Sequence, residues 1–151
     1  AHEPTLTANG LSDLADVERE QGDLAAARTS IRDALAKHEA LTKTTNTADL
    51  PQYLADDHDI TGRIDQAAGD LVAAERELRK AVELAEPVAG VGQALLAPHL
   101  EHLGALLLAA HKSAEATTVL TRVLAILDAT AAPASVREQV QAELANARRG
   151  P

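Results

Sequence analysis

The segment Asp57–Asp65 carries the pattern in the chain that most resembles a metal-binding site. Oxygen-bearing side chains occupy its first, third and fifth positions, and Gly62 and Asp65 follow at the sixth and ninth. Calcium prefers several hard oxygen ligands at such a spacing. The twelfth position, however, holds Ala68 in place of a bidentate Glu, and Asp70 comes two residues too late. We therefore expect no metal here, and calcium binding stays an alternative that a calcium titration would decide.

His99 and His102, with Glu101 between them, form a second candidate metal site. Residues three apart share one face of a helix. A zinc site needs a third ligand in register, and the chain offers none here. We interpret both histidines as ordinary surface residues of a helix. No serine or lysine stands in a recognisable nucleophile motif, so we expect neither catalysis nor a cofactor.

The composition of the chain excludes several classes of protein. The 151 residues carry a formal net charge of -9, which argues against a nucleic-acid partner because a binder of phosphates needs a cationic surface. Cysteine is absent, which excludes disulfides and thiolate chemistry. The longest apolar run is 105–110, too short for a membrane span. We expect a cytoplasmic protein without a membrane partner.

The apolar residues are numerous but almost never aromatic. Hydrophobic residues make up 46% of the chain, yet Phe, Trp and Met are absent and Tyr53 is the single aromatic residue. A chain of this length and apolar content can bury one compact core. We therefore expect a single domain over residues 1–151, with a core of leucine, isoleucine, valine and alanine.

A short block recurs three times along the chain. It begins Gly-Asp-Leu in its first two copies and ends on an alanine that recurs after 47 and then 42 residues, at Ala27, Ala74 and Ala116. Four positions after each of these alanines stands a large aliphatic residue: Ile31, Leu78 or Leu120. Seven positions after each alanine stands Ala34, Ala81 or Val123. Spacings of four and three place side chains on one face of an α-helix. Each copy therefore predicts an amphipathic helix.

A second helix is predicted upstream of each block. The apolar stripe of the third copy is Leu100, Leu103, Gly104 and Leu107, and that of the first copy is Leu11, Leu14, Ala15 and Val17. The second copy carries a weaker stripe at His58, Thr61, Gly62 and Ile64. Each copy thus predicts a helix, a turn and a helix.

Turn residues separate the predicted helices. Gly22 and Gly69 suit the left-handed position that closes a helix, with His111 in their place in the third copy. Asp23, Asp70 and Ser113 are predicted to cap the helices that follow, since their side chains can accept hydrogen bonds from free amides. Polar or proline-containing breaks lie near 44–49, 87–92 and 131–135.

The predicted architecture is all-α with seven helices and no strands. The three helix-turn-helix units span approximately 5–42, 50–88 and 94–130. A last helix over 134–149 has one apolar stripe, Val136, Val140 and Leu144, and an otherwise polar or alanine surface. Such a helix is typical of the cap that closes one end of a helical stack.

The three units resemble the tetratricopeptide repeat family. The matching positions are Leu11, Leu14, Ala15, Glu18, Gly22, Ala27, Ile31 and Ala34; then His58, Thr61, Gly62, Asp65, Gly69, Ala74, Leu78 and Ala81; then Leu100, Leu103, Gly104, Leu107, His111, Ala116, Leu120 and Val123. The spacing is longer than the usual 34 or so residues, and is similar to the repeats of kinesin light chains and many bacterial regulators. The family's aromatic residues are missing. The resemblance implies a right-handed α-solenoid of three repeats with a C-terminal capping helix.

The resemblance also implies a function in protein–protein interaction. The first helix of each repeat would line a concave groove, and the positions that would face it are Asn9, Ser12, Asp16, Arg19, Glu20, Asp56, Asp59, Arg63, Gln66, Glu101, Ala105 and Leu108. The first two-thirds of this set are polar with excess negative charge, and the last third is apolar. We expect a protein or peptide segment with Lys or Arg at one end and an aliphatic residue at the other.

Two alternatives remain open at this point. The predicted groove residues could be ordinary solvated residues of the helices, or a neighbouring domain could cover Leu106 and Leu108. The chain could also be a regulatory or oligomerisation domain of a larger bacterial signalling or transcription-regulating protein, with a homodimer as one form. Some members of the family bind the C-terminal tails of chaperones through a clamp of lysine, asparagine and arginine side chains. The matching positions here are Ser12, Asp16, Ile60, Pro98 and His102, which cannot form such a clamp. Binding of chaperone tails is therefore excluded.

Overall fold

The computed structural model describes residues 7–45, 47–90 and 93–150, and these are all helical or connecting. The helices are α1 (Ala8–Glu20), α2 (Leu24–Leu41), α3 (Leu50–Ala67), α4 (Leu71–Ala85), α5 (Ala97–Ala109), α6 (Ser113–Ala129) and α7 (Ala134–Arg149), with a short 3-10 helix at Glu86–Val88. The described residues contain no strand. The predicted all-α class and the seven helices are confirmed.

The turns within the helix pairs follow the local sequence. Gly22 and Gly69 adopt φ angles of +83° and +85°, and the Asp23 and Asp70 carboxylates accept hydrogen bonds of 3.0 Å from the amides of Ala26 and Ala73. His111 takes the left-handed position of the third turn, with φ of +59°. The predicted Ser113 cap is wrong. Ser113 is the first residue of α6, and the preceding Lys112 makes no side-chain capping bond.

The helices pack in sequential order. Each helix contacts the next one along the chain, and contacts also join α1 to α3, α3 to α5 and α5 to α7. The odd-numbered helices therefore lie beside one another, while α2, α4 and α6 each pack between two of them. This repeat-like arrangement of helix pairs brings residues of α1, α3 and α5 to a common surface.

Small residues allow close contact inside each pair. A Cβ atom added to Gly62 would lie 2.7 Å from Leu78 Cγ, and one added to Gly104 would lie 2.6 Å from Leu120 Cδ2. Both leucines are fully buried. The larger core cluster joins α3 through α7, and a smaller one comprises Ala15, Ala27, Ile31, Ala34 and Ile64. A core without aromatic residues is thus filled by direct approach of the helices.

The two ends of the row of helices differ. α7 buries Val140, Leu144 and Ala147 against the core, and Glu138, Gln141 and Asn146 are exposed on its other side. At the opposite end, Leu14 and Val17 are exposed. The apolar stripe to which both belong predicted α1 correctly, and Ala15 of the same stripe is buried.

None of the helices in the described part of the chain combines the length and apolar character that a membrane span requires.

Substitution of Gly104 by Ala should lower the free energy of unfolding by about 1 kcal/mol. Overpacking against Leu120 costs about 1–3 kcal/mol, and the better helix propensity of Ala returns about 1 kcal/mol. Urea denaturation followed by circular dichroism measures the difference. In a Leu120→Ala background the same substitution should become stabilising, since the clash is gone. A loss of equal size in both backgrounds would contradict the close contact.

Candidate binding cleft

A cleft of about 420 Å³ lies where α1, α3 and α5 meet. It is lined by Asn9, Ser12, Asp13, Asp16, His38, Tyr53, Asp56, Asp57, Asp59, Ile60, Arg63, Pro98 and His99. Six of these residues belong to the groove predicted from the sequence: Asn9, Ser12, Asp16, Asp56, Asp59 and Arg63. Helix α3 supplies the largest share of the wall, because it lies between α1 and α5.

Asp57 is buried in the cleft and held by two neighbouring helices. Its carboxylate accepts a hydrogen bond from the Ser12 hydroxyl of α1 and lies 2.6 Å from Nδ1 of His38 on α2. Nε2 of His38 lies 2.8 Å from the Asn9 side-chain oxygen, and the Tyr53 ring stacks on the imidazole at 5.5 Å. Burial raises the pKa of Asp57, and the hydrogen bonds from His38 and Ser12 oppose that rise.

Asp59 forms the second buried polar centre, between α3 and α5. Its carboxylate lies 3.1 Å from Nδ1 of His99 and 2.9 Å from Nδ1 of His102. Burial works to raise the pKa of Asp59, but these hydrogen bonds outweigh it and lower the pKa to about 2. Burial works to lower the pKa of His99, and Asp56 and Asp59 overcome it and raise the pKa to about 9. His99 and Asp59 therefore form an ion pair at neutral pH.

Asp16 is shared by the two arginines of the predicted groove. One of its oxygens lies 2.8 Å from Arg19 and 3.1 Å from Arg63. Arg63 also lies 3.7 Å from Asp59. Both guanidinium groups are thus committed to carboxylates of the protein, and Arg63 links α3 to α1.

Two carboxylates at the rim of the cleft are less enclosed than Asp57 and Asp59. Asp13 has no hydrogen-bond or ion-pair partner among residues 7–45, 47–90 and 93–150. Asp56 is half-exposed, accepts a 2.9 Å hydrogen bond from Gln52 and lies 3.4 Å from His99. Tyr53, Ile60 and Pro98 provide apolar surface in the same cleft. The cleft therefore combines an anionic rim with an apolar wall.

The other predicted groove residues lie beyond this cleft. Three of them line an adjoining depression: Arg19, Gln66 and Ala105. Ala67 and His102 line it too, as does Arg63, which also lines the cleft. Glu20 bonds to Arg19, and Glu101 accepts a hydrogen bond from Gln139 of α7. Leu108 is half-buried against the core, and Leu106 is fully buried within the chain. A neighbouring domain is therefore not needed to cover Leu106.

Sequence reasoning missed several residues of the cleft. His38 and Tyr53 were not among the candidates, and His99, interpreted as a surface residue, is buried. The repeat offset could have drawn attention to two of the buried polar residues, Asp57 and His99. Asp57 and His99 occupy the same position of consecutive units, 42 residues apart, next to the apolar stripe.

The segment that resembles a calcium loop lies entirely within α3. Its carboxylates at positions 57 and 59 are bonded to histidines, so their oxygens do not surround a common point. The described residues contain no group of three or more His, Asp or Glu side chains that could hold a metal ion.

The ion pair at Asp59 should give the stability a defined pH dependence. His99 binds its proton more tightly in the folded state, with a pKa of about 9 against about 6.5 in the unfolded chain. The stabilisation that the protonated His99 provides is therefore complete below about pH 6.5. As the pH rises through 9 it is lost, which lowers the free energy of unfolding by up to about 3 kcal/mol. Asp59, whose pKa is lowered in the folded state, stabilises the fold above about pH 3.9. This stabilisation is lost as the pH falls towards 2.

Chemical denaturation of wild type and His99→Gln across pH 5–10 checks this expectation. The difference between the two free energies of unfolding should shrink as the pH rises above about 6.5. His111→Asn removes an exposed imidazole and serves as control, with a wild-type slope expected. A constant difference between wild type and His99→Gln over this range would rule out the proton linkage.

A comparison with protein-family models and with curated proteins found no match to this chain.

Proposed function

We propose that the chain is a protein-interaction module of the tetratricopeptide type, a right-handed α-solenoid that binds a segment of a partner protein in the cleft between α1, α3 and α5. Three features support the proposal. The first helices of the three pairs lie side by side, the turns repeat the same left-handed geometry, and a helix with a polar outer side ends the row.

The observation that carries the proposal is the charge state of the cleft. Its deepest carboxylates, Asp57 and Asp59, are bonded to histidines of neighbouring helices. Their ionic and hydrogen-bonding needs are met within the protein, so they shape the cleft. Asp13 and the half-exposed Asp56, which also lies 3.4 Å from His99, are the carboxylates at the rim that a partner segment can reach.

The partner segment would present a Lys or Arg side chain to this rim. Long basic side chains carry an apolar stem below the charge. Tyr53, Ile60 and Pro98 would contact the stem, and Asp13 and Asp56 would attract the charged end. Electrostatic attraction of this kind sets orientation and association rate. An aliphatic residue of the segment would lie towards Ala105 and the half-buried Leu108.

Binding accounts for the cleft better than catalysis does. Ser12, His38 and Asp57 are the residue types of a hydrolase triad, but the Ser12 hydroxyl donates to Asp57 and not to the imidazole. A nucleophilic serine needs its hydrogen bond to the base. Nε2 of His38 is directed at Asn9 instead.

The alternative of a regulatory or oligomerisation domain would place the working surface on α7 or on the outer helices. The outward side of α7 exposes Glu138, Gln141 and Asn146. Surfaces of this kind lack the apolar centre of a stable subunit interface. The outward side of α7 therefore offers less to a second subunit than the cleft offers to a partner segment.

Selection from a randomised peptide library should return segments with Lys or Arg near an aliphatic residue. Tyr53 is the single aromatic residue of the chain and lines the cleft, so its fluorescence reports occupancy directly. Asp56→Asn should weaken binding of a selected peptide about tenfold, which corresponds to about 1.4 kcal/mol. Replacing the peptide's basic residue by norleucine should have a similar effect.

Asp33→Asn is the matched control, because it removes the same charge from an exposed position of α2 outside the cleft. Its affinity should equal that of wild type. Reversing Arg19 or Arg63 is less informative, since either change would leave Asp16 facing a new negative charge. Selected peptides without a basic residue, or equal binding by Asp56→Asn, would refute the proposed partner chemistry.

A further inference from the structure

The ring of Tyr53 has one face covered by the protein and one side turned towards the cleft. The His38 imidazole stacks on this ring, with 5.5 Å between the two centroids and 16° between the two planes. His38 is only 2% exposed, whereas Tyr53 is partly exposed and lines the cleft. The imidazole therefore lies on the inner side of the ring, and the exposed part of Tyr53 lies on the side away from it.

The orientation of this ring is fixed before a partner binds. Nδ1 of His38 lies 2.6 Å from Asp57, and Nε2 lies 2.8 Å from the Asn9 side-chain oxygen. These two contacts hold the plane of the imidazole from opposite sides, and stacking keeps the Tyr53 ring nearly parallel to it. A surface that is already ordered loses less conformational entropy on binding. Tyr53 thus gives the cleft a preorganised flat surface.

An acceptor oxygen lies one helical turn from this ring. Asp56 follows Tyr53 by three residues on α3, so the two side chains are neighbours on the helix surface, and both line the cleft. The contacts of Asp56 with Gln52 and His99 both use Oδ1. Oδ2 makes no hydrogen bond or ion pair within residues 7–45, 47–90 and 93–150. It can therefore accept a hydrogen bond from a group that lies on Tyr53.

Arginine matches both features of this site, and lysine matches one of them. The guanidinium group is planar and weakly hydrated, and it stacks on aromatic rings while its N–H groups donate in the plane. The lysine ammonium group is a compact, strongly hydrated charge. It is attracted by the carboxylates in the same way, but it gains less from a flat ring.

We propose that the cleft selects arginine over lysine, with the guanidinium plane on the exposed side of Tyr53 and its N–H groups directed at Oδ2 of Asp56. This inference rests on the proposed function, since it names the basic residue that the partner segment presents. Ile60 and Pro98 then contact the aliphatic stem. Asp13 on α1 adds its negative charge from the other wall of the cleft.

A randomised peptide library that supplies arginine and lysine equally tests this choice. Among the segments that wild type retains, arginine should outnumber lysine at the basic position at least about fivefold, as expected for one cation–π contact. With Tyr53→Leu the ratio should fall towards one, because leucine keeps the apolar bulk but has no ring. Tyr53→Phe should restore the ratio, since stacking does not need the hydroxyl.

Fluorescence anisotropy of one selected peptide, made with arginine or with lysine, then compares the two residues directly. Wild type should bind the arginine form at least about fivefold more tightly, and Tyr53→Leu should lose this difference. Circular dichroism should show the same helix content in all three proteins. Proton NMR gives a readout that needs no variant: the ring current of Tyr53 should shift the δ protons of the bound arginine upfield.

The possible outcomes separate this inference from the proposed function. Equal retention of arginine and lysine by wild type would overturn the selection and leave a basic partner segment standing. A preference that Tyr53→Leu keeps in full, or unshifted δ protons in the complex, would overturn the role of the ring. Retained segments without any basic residue would contradict both the inference and the proposed function.

Discussion

The structure depends on the burial of carboxylates from α3 among histidines of the neighbouring helices. Asp57 and Asp59 lie inside the row of helices, where an unpaired charge would cost several kcal/mol. His38 of α2 meets the first, and His99 and His102 of α5 meet the second. These contacts join four of the seven helices, because Ser12 of α1 also bonds to Asp57. Helix α3 is therefore positioned in part by polar contacts to α1, α2 and α5.

The two carboxylates differ in a way that follows from their partners. Asp57 has one imidazole and one hydroxyl, and desolvation raises its pKa. Asp59 has two imidazoles and a nearby guanidinium, and its pKa falls to about 2. Breaking either set of contacts would leave a buried charge without its partner, so the contacts hold the helices in one alignment. In this chain they also define the walls of the cleft, so fold and candidate site share the same residues.

The scarcity of aromatic side chains, with Tyr53 the single one, places a second constraint on the fold. Buried volume must come from leucine, valine and isoleucine packed against glycine and alanine, so helices approach closely at Gly62 and Gly104. The larger core cluster lies towards α7, and the smaller one lies at α1 and α2. The N-terminal part of the row thus combines the thinner apolar core, the exposed Leu14 and Val17 and the polar cleft.

Local sequence determined the helices and the turns within the pairs. Glycine in the left-handed position and aspartate at the cap act through their own backbone and the next three residues, so Gly22, Asp23, Gly69 and Asp70 could be predicted without a structure. Six of the twelve groove positions that the family resemblance implied also line the cleft. Only the tertiary structure decided which polar side chains are buried. His38 and Asp57 are 19 residues apart and Asp59 and His99 are 40 apart; whether such groups meet depends on how helices pack, and no local pattern encodes that distance.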